Sequence, residues 1–312
     1  MNALQRGLDD YLQLRRAMGY QLAEAHRLLP RFVSWMDHTG QHTMSIAAAL
    51  EWCQLPKADP GSTVWPKRMT AVRGFARFMA GRDPDTQIPP VGLLPHRRHW
   101  RTPYIYSADD VASLMRQATI SLDPRLPART YATAIGLLAA AGLRIGELIN
   151  LNRVDVDWQH ATLLIRESKF AKTRIVPLTD TTMLALQDYA AFQDALHAPT
   201  KTSAFFLTIT GKRLIYATVG TTFRMLCTQT AVGAQRQRPP RLHDLRHTFA
   251  VNTLVRWYRQ GLNVHAKMPY LSAYLGHRDP TSTYWYLSAA PELLALAADR
   301  IEDTTSIKEQ QS

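Results

Sequence analysis

Residues 83–107 read DPDTQIPPVGLLPHRRHWRTPYIYS, and the five prolines in this interval decide how the rest of the chain can fold. Proline locks φ and removes a backbone donor, so neither a helix interior nor a central strand passes through such a stretch. The chain is therefore expected to divide into a helical domain at 1–85, a linker at 86–102, a larger domain at 103–300 and a polar tail at 301–312. At 312 residues it is long enough for two domains, each with a core of its own.

The first domain reads as short helices with few strand signals. Leu4, Leu8, Tyr11, Leu12 and Leu14 recur at helical spacing, with Gly19 as a stop. Leu28, Leu29, Phe32, Val33 and Met36 repeat the pattern, with Pro30 as a possible kink and Gly40 as the stop. SIAAALEWCQL is a third helix capped by Ser45. A fourth directs Met69, Val72, Phe75, Phe78 and Met79 inward, while Lys67, Arg68, Arg73 and Arg77 populate its other faces. Those four are either a solvated basic face or a face laid against DNA.

Charge bears on that choice. The formal net charge is +12 and the sequence pI about 9.9. Such an excess favours a polyanionic partner, because each neutralised phosphate releases a counterion. The linker adds His96, Arg97, Arg98 and Arg101, of which Arg98 and Arg101 join the candidate phosphate contacts. No apolar run is long enough to span a bilayer, and the N-terminal segment lacks the apolar core of a signal peptide, so a cytoplasmic protein without membrane association is expected. Cys53 and Cys227 form no CxxC pair, which leaves neither a disulfide framework nor a zinc site in view.

The second domain opens at SADDVASLMRQA, where Ser107 and Asp110 stand at capping-box spacing. It is mostly helical, with one interruption. Within residues 161–179 two β-prone arms, Leu163–Arg166 and Arg174–Leu178, flank a polar connection holding Lys169 and Lys172, the pattern of a β-hairpin. Four pieces, this hairpin among them, carry chemistry. Arg144 and Glu147 lie at i, i+3, where the acid can orient the guanidinium or simply form a helix-surface pair. A hairpin lysine comes next. RLHDLRHTFA follows the Pro239–Pro240 stop and places His243 and Arg246 on one helix face, with His247 adjacent. LGHRDPTSTYWYLS then supplies His277 and, nine positions on, Tyr286. His243 and His247 at i, i+4 also have the spacing of a metal pair, but no acid or cysteine is placed to complete the set and Arg246 would repel the ion. No metal site is expected.

In this order the pieces resemble the signature of the tyrosine recombinase (phage integrase) family, over roughly residues 103–300 and more loosely over the N-terminal helices. The resemblance implies a mainly α fold with a small β-hairpin or sheet, made of an N-terminal helical core-binding (SAM-like) domain and a C-terminal catalytic domain. It implies a site-specific DNA recombinase of integrase or transposase type, working through a 3′-phosphotyrosyl intermediate. Arg144, His243, Arg246 and His277 would surround the scissile phosphate, Glu147 would support Arg144, Lys169 would be the general acid, and Tyr286 the nucleophile. Family spacing favours Lys169 over Lys172 and Tyr286 over Tyr284. Trp285 reads as packing, and His247 is expected to point into the core or toward a carboxylate.

The chemistry explains these residue types. Two guanidiniums can each donate paired hydrogen bonds to non-bridging phosphate oxygens and stabilise the charge that grows there. A phosphotyrosyl link conserves the bond for religation, so no ATP is called for, and because arginine and histidine supply the charge stabilisation no metal or other cofactor is called for either. The implied partners are double-stranded DNA and further copies of the chain in a tetramer, or partner recombinases. A helix at APELLALAADRIEDTT would pack on its own domain or on a neighbouring protomer. A type IB topoisomerase-like nicking and closing enzyme, or a catalytically silent DNA-binding regulator, are the alternatives.

Overall fold

The computed structural model describes residues 3–20, 22–58, 62–94, 102–168, 172–197, 202–277 and 281–289. The chain forms two compact units that divide between Trp100 and Arg101.

The first unit is a bundle of four helices, α1 (Ala3–Ala17), α2 (Ala23–His38), α3 (Ile46–Gln54) and α4 (Val64–Met79). Each buries one apolar stripe, and the stripes meet in a core that includes Leu8, Phe32, Met36, Trp52, Val72 and Phe75. A fully buried leucine or phenylalanine contributes about 1.5–3 kcal/mol relative to exposure, so this stripe, rather than helix propensity, holds the bundle together. Leu14 departs from the expected pattern and is exposed, because two residues beyond Leu12 it has rotated off the buried face. Ser45 caps α3, accepting from the Ala48 amide at 3.0 Å, and α2 runs through Pro30 without a break. The first part of the proline-rich interval belongs to this unit. Arg73 donates to the carbonyls of Pro89 and Pro90, both at 2.8 Å, and Leu94 is buried in the same core.

The second unit is α5 (Ala108–Ser121), α6 (Pro127–Ala141), α7 (Ile145–Asn150), a sheet, then α8 (Asp180–His197), α9 (Tyr216–Gln229), α10 (Leu242–Arg259), α11 (Val264–Leu275) and α12 (Thr281–Ala289). Ser107 and Asp110 form the capping box anticipated for α5. The sheet has three antiparallel strands in the order β1 (Val156–Asp157), β2 (Thr162–Ser168), β3 (Lys172–Pro177). The hairpin is thus wider than its apolar arms. Lys172 is not part of the connection but opens β3, its backbone paired with Ser168. β1 was not foreseen, since two residues are too few to show an alternation.

One core joins the sheet to α5–α9 and includes Leu114, Leu138, Leu163, Val176, Phe205 and Phe206. A second, smaller core lies among α10, α11 and α12 and includes Val251, Leu254, Met268, Leu271, Leu275 and Tyr286. Among the described residues no helix is long and apolar enough to cross a membrane.

Candidate active site

The site begins at a helix end. Helix α11 stops at Gly276, whose φ of +64° is easily reached only without a side chain. The last carbonyls of a helix have no partner within it and carry the negative end of its dipole. Here three in succession accept from three arginines. Tyr274 O takes Arg174 Nε at 2.7 Å, Leu275 O takes Arg246, and Gly276 O takes Arg144 at 3.0 Å. A Cβ on Gly276 would stand 3.1 Å from the Arg174 guanidinium and 3.5 Å from that of Arg144. The bare glycine therefore lets two guanidiniums close on the chain.

Glu147 fastens the same group from the other side. It lies in the first turn of α7, 7% exposed, and accepts from Arg144 at 2.7 Å and from Arg174 at 2.9 and 2.8 Å, while the Arg144 backbone amide donates to it at 2.9 Å. Burial alone would raise its pKa, but Arg174 and Arg144 outweigh burial and bring the carboxyl down to about 2. One carboxylate thus orients two guanidiniums, which makes the Arg144–Glu147 pair more than a surface contact. Arg174 was missed in the sequence. Its signal was register: it pairs with inward-facing Ile165 on β2, while its apolar neighbour Ile175 is 64% exposed.

Arg246 is 1% exposed and is held by Leu275 O and by Gly142 O, the latter at 2.8 Å. Burial and then the Arg144 charge push its pKa down to about 10, so it stays cationic near neutrality. It reaches this place because Asp244, fully buried, anchors the first turn of α10. Asp244 accepts from the Arg241 amide at 2.9 Å and from its guanidinium at 2.7 Å. His243 lies one turn before His247 on this helix, their rings 4.7 Å apart and edge-on. The protein packed around His243, then Arg246 and Arg241, push its pKa down to about 4. Its surface is still open to solvent, so the cationic neighbours are the firmer cause.

His277 follows Gly276. Its Nδ1 lies 2.7 Å from Thr283 Oγ1, and its ring is stacked on Tyr286 with centroids 6.2 Å apart. Burial, then Arg246 and Arg144, bring it down to about 4. Tyr286 is 2% exposed, with its pKa raised by burial against the pull of Arg246 and Arg144. Tyr284 is 42% exposed and faces His265 instead. Two residues along a helix point in well-separated directions, so one tyrosine enters the cluster and the other does not.

His247 faces the small core of α10–α12 and no carboxylate, and within it places Nδ1 3.1 Å from the hydroxyl of Tyr286, an aim the sequence did not show. Trp285 packs beside it, ring centroids 5.5 Å apart. The structure therefore brings together Arg144, Glu147, His243, Arg246, His277 and Tyr286, and adds Arg174 and His247. Lys169 lies outside the described residues, as do Arg98, Arg101 and the segment 290–312. Among the described residues no group of three or more His, Cys, Asp or Glu could hold a metal ion.

On the first unit, Lys67 and Arg77 are exposed on α4. Arg68 lies over the Trp52 ring at 3.5 Å, and Arg73 is occupied with Pro89 and Pro90. A cleft of about 1090 Å³ in this unit is lined by Arg15, Lys67, Arg73 and Arg77 among others.

A buried phenol ringed by guanidiniums and imidazoles thus lies on a helical scaffold with a small sheet. The comparisons place the chain further. The model of the phage integrase family matches residues 106–292. A Sinorhizobium fredii protein named as an integrase/recombinase, y4rB, is 38% identical over 97% of this chain and 98% of its own. The tyrosine recombinase XerC of Chlamydia trachomatis is 30% identical over 73% of this chain and 67% of its own. In fold the chain is similar to the Tn1549 transposon integrase solved with transposon right-end DNA, with a TM-score of 0.63 at 16% identity over 95% of this chain and 98% of that one. This chain belongs to the phage integrase family of tyrosine recombinases, the site-specific DNA strand-exchange enzymes.

Proposed function

We propose that the chain cuts and rejoins double-stranded DNA at this cluster, with Tyr286 attacking the scissile phosphorus. The observation that carries the reading is the convergence of Arg144, Arg246, His243 and His277 around a phenol that is itself buried. The anions in and beside the cluster are already engaged, Glu147 by Arg144 and Arg174 and Asp244 by Arg241. An incoming phosphate supplies the missing negative charge. Arg144 and Arg246 are fixed by backbone carbonyls, so their remaining N–H groups are prealigned and cost little to reorganise as charge develops on the non-bridging oxygens. Removing one such donor typically lowers the rate about 10²–10³-fold.

In this scheme Lys169 protonates the departing 5′ oxygen, which leaves a 3′-phosphotyrosyl bond that a free 5′ hydroxyl can reverse. Lys67 and Arg77, with Arg98 and Arg101 of the linker and the partly engaged Arg68 and Arg73, contribute backbone contacts. Exchange between two duplexes breaks four strands, and with one nucleophile per chain this requires four copies on the DNA. A DNA-acting role also accords with a cytoplasmic location.

The test is a single-turnover cleavage assay on a nicked duplex carrying a site selected from a random duplex library. The wild-type chain is expected to become covalently linked to DNA, and Tyr286→Phe to bind the same duplex and form no adduct. An undiminished adduct in that variant overturns the assignment.

A further inference from the structure

We infer that His247 is the general base of the reaction, taking the proton from the Tyr286 hydroxyl on its Nδ1 as the phenol oxygen bonds to phosphorus. This deepens the proposed function and rests on Tyr286 being the nucleophile. The other groups of the cluster have different work. Arg144, Arg174 and Arg246 are held on the α11 carbonyls and on Glu147, and an arginine does not accept a proton. His277 engages Thr283 through Nδ1 and meets Tyr286 ring to ring. His243 lies at the solvent-open edge of the cluster. His247 puts a ring nitrogen within 3.1 Å of the reacting oxygen, inside the range a general base needs.

The surroundings keep that nitrogen available. The groups bearing on His247 are His243, Asp244, Arg241 and Arg246 of its own helix and capping turn, together with Tyr286 of α12. Burial, then His243, hold the imidazole down to about 3, so it is neutral at working pH. The role requires the tautomer in which Nε2 carries the ring's own proton and Nδ1 accepts the phenolic hydrogen. A base so weak would not ionise a resting phenol. Two changes close the gap on the DNA: the bound phosphate adds negative charge among the cations and raises the imidazole, and the phenol becomes far more acidic as its oxygen bonds to phosphorus.

The step balances. The Oη–H proton moves to Nδ1, the Oη lone pair forms the O–P bond, the P–O5′ bond breaks, and the 5′ oxygen leaves with a proton from the general acid. In religation the imidazolium returns its proton to the departing Tyr286 oxygen. One helix, α10, would thus serve both needs, with Arg246 on the phosphate and His247 on the nucleophile.

Three variants test this in the same single-turnover adduct assay, with duplex binding and the urea midpoint measured alongside. His247→Asn keeps an acceptor near the Nδ1 position but is not a base. It is expected to bind DNA normally and cleave about 10²–10⁴-fold more slowly. Its log rate should climb by about one per pH unit, as free hydroxide replaces the base. His247→Ala should regain cleavage on addition of imidazole, in proportion to its unprotonated form. A His247→Asn enzyme that cleaves within threefold of wild type on an unchanged pH profile, or a His247→Ala enzyme indifferent to imidazole, overturns the proposal. Tyr286→Phe separates the two layers: an adduct in that variant refutes the nucleophile itself, whereas its absence beside an active His247→Asn refutes only the base.

Discussion

At the scale of single residues, Glu147 controls the geometry of the site. Its two oxygens hold Arg144 and Arg174, and removal of its charge leaves two guanidiniums facing each other with nothing between them. Glu147→Gln is expected to cost about 3–5 kcal/mol of folding stability, the usual penalty for stripping one partner from a buried ion pair, read as a fall in the urea midpoint. The pH dependence follows from the same contact. Because the folded pKa is depressed to about 2, the contribution is fully present above the unfolded value near 4.5 and is lost as pH falls from there toward 2. His247 and His277, depressed to about 3 and 4, act in the same direction at higher pH. The unfolded chain takes up their protons near 6.5 and the folded chain does not, so stability declines below that pH as well. Some of this was legible in the sequence. Spacing placed Arg144 against Glu147 and His243 beside Arg246, because i, i+3 partners share a helix face. Spacing could not show the third arginine, since Arg174 reaches Glu147 from a different element. Nor could it show the aim of His247, because the direction of its ring depends on where α12 lies.

At the scale of elements, the C-terminus of α11 organises the cluster, and this explains why the glycine between Leu275 and His277 matters. Gly276→Ala forces an L side chain into a left-handed conformation and brings a Cβ to 3.1 Å from the Arg174 guanidinium. The substitution is expected to cost about 1–2 kcal/mol of stability. It should also lower the adduct-forming rate with little change in duplex affinity, since it disturbs the arginines proposed to hold the reacting phosphate and not the remote contacts. Equal losses in rate and affinity would argue against this role. Helices were readable because their apolar stripes persist over three or four turns, and the capping signals at Ser45 and Ser107 marked where α3 and α5 begin. β1 escaped because a two-residue strand is defined by its partner β2 and not by its own pattern. The proline-rich interval reads as a linker over 86–102, and the two units divide within it, between Trp100 and Arg101. That Arg73 clasps Pro89 and Pro90 onto the first unit was not legible, since arginine at that position reads equally as a solvated charge.

At the scale of the whole molecule, the +12 charge sets the way the protein meets its substrate. Association with duplex DNA is expected to weaken steeply with salt, the logarithm of the affinity falling linearly with the logarithm of salt concentration. Lys67→Ala and Arg77→Ala should each reduce that slope by about one while leaving sequence preference unchanged, as backbone contacts do; Arg73→Ala should in addition destabilise the first unit, where its guanidinium holds two carbonyls. Salt titrations of binding check both. The account as a whole depends on a single placement, that of Tyr286 rather than Tyr284 among Arg144, Arg246 and the histidines. Its most direct measurement is mass spectrometry of the peptide left attached to DNA after a trapped cleavage is digested with protease. The account predicts a nucleotide on the phenolic oxygen of Tyr286; a nucleotide on Tyr284, or on any other residue, would contradict it.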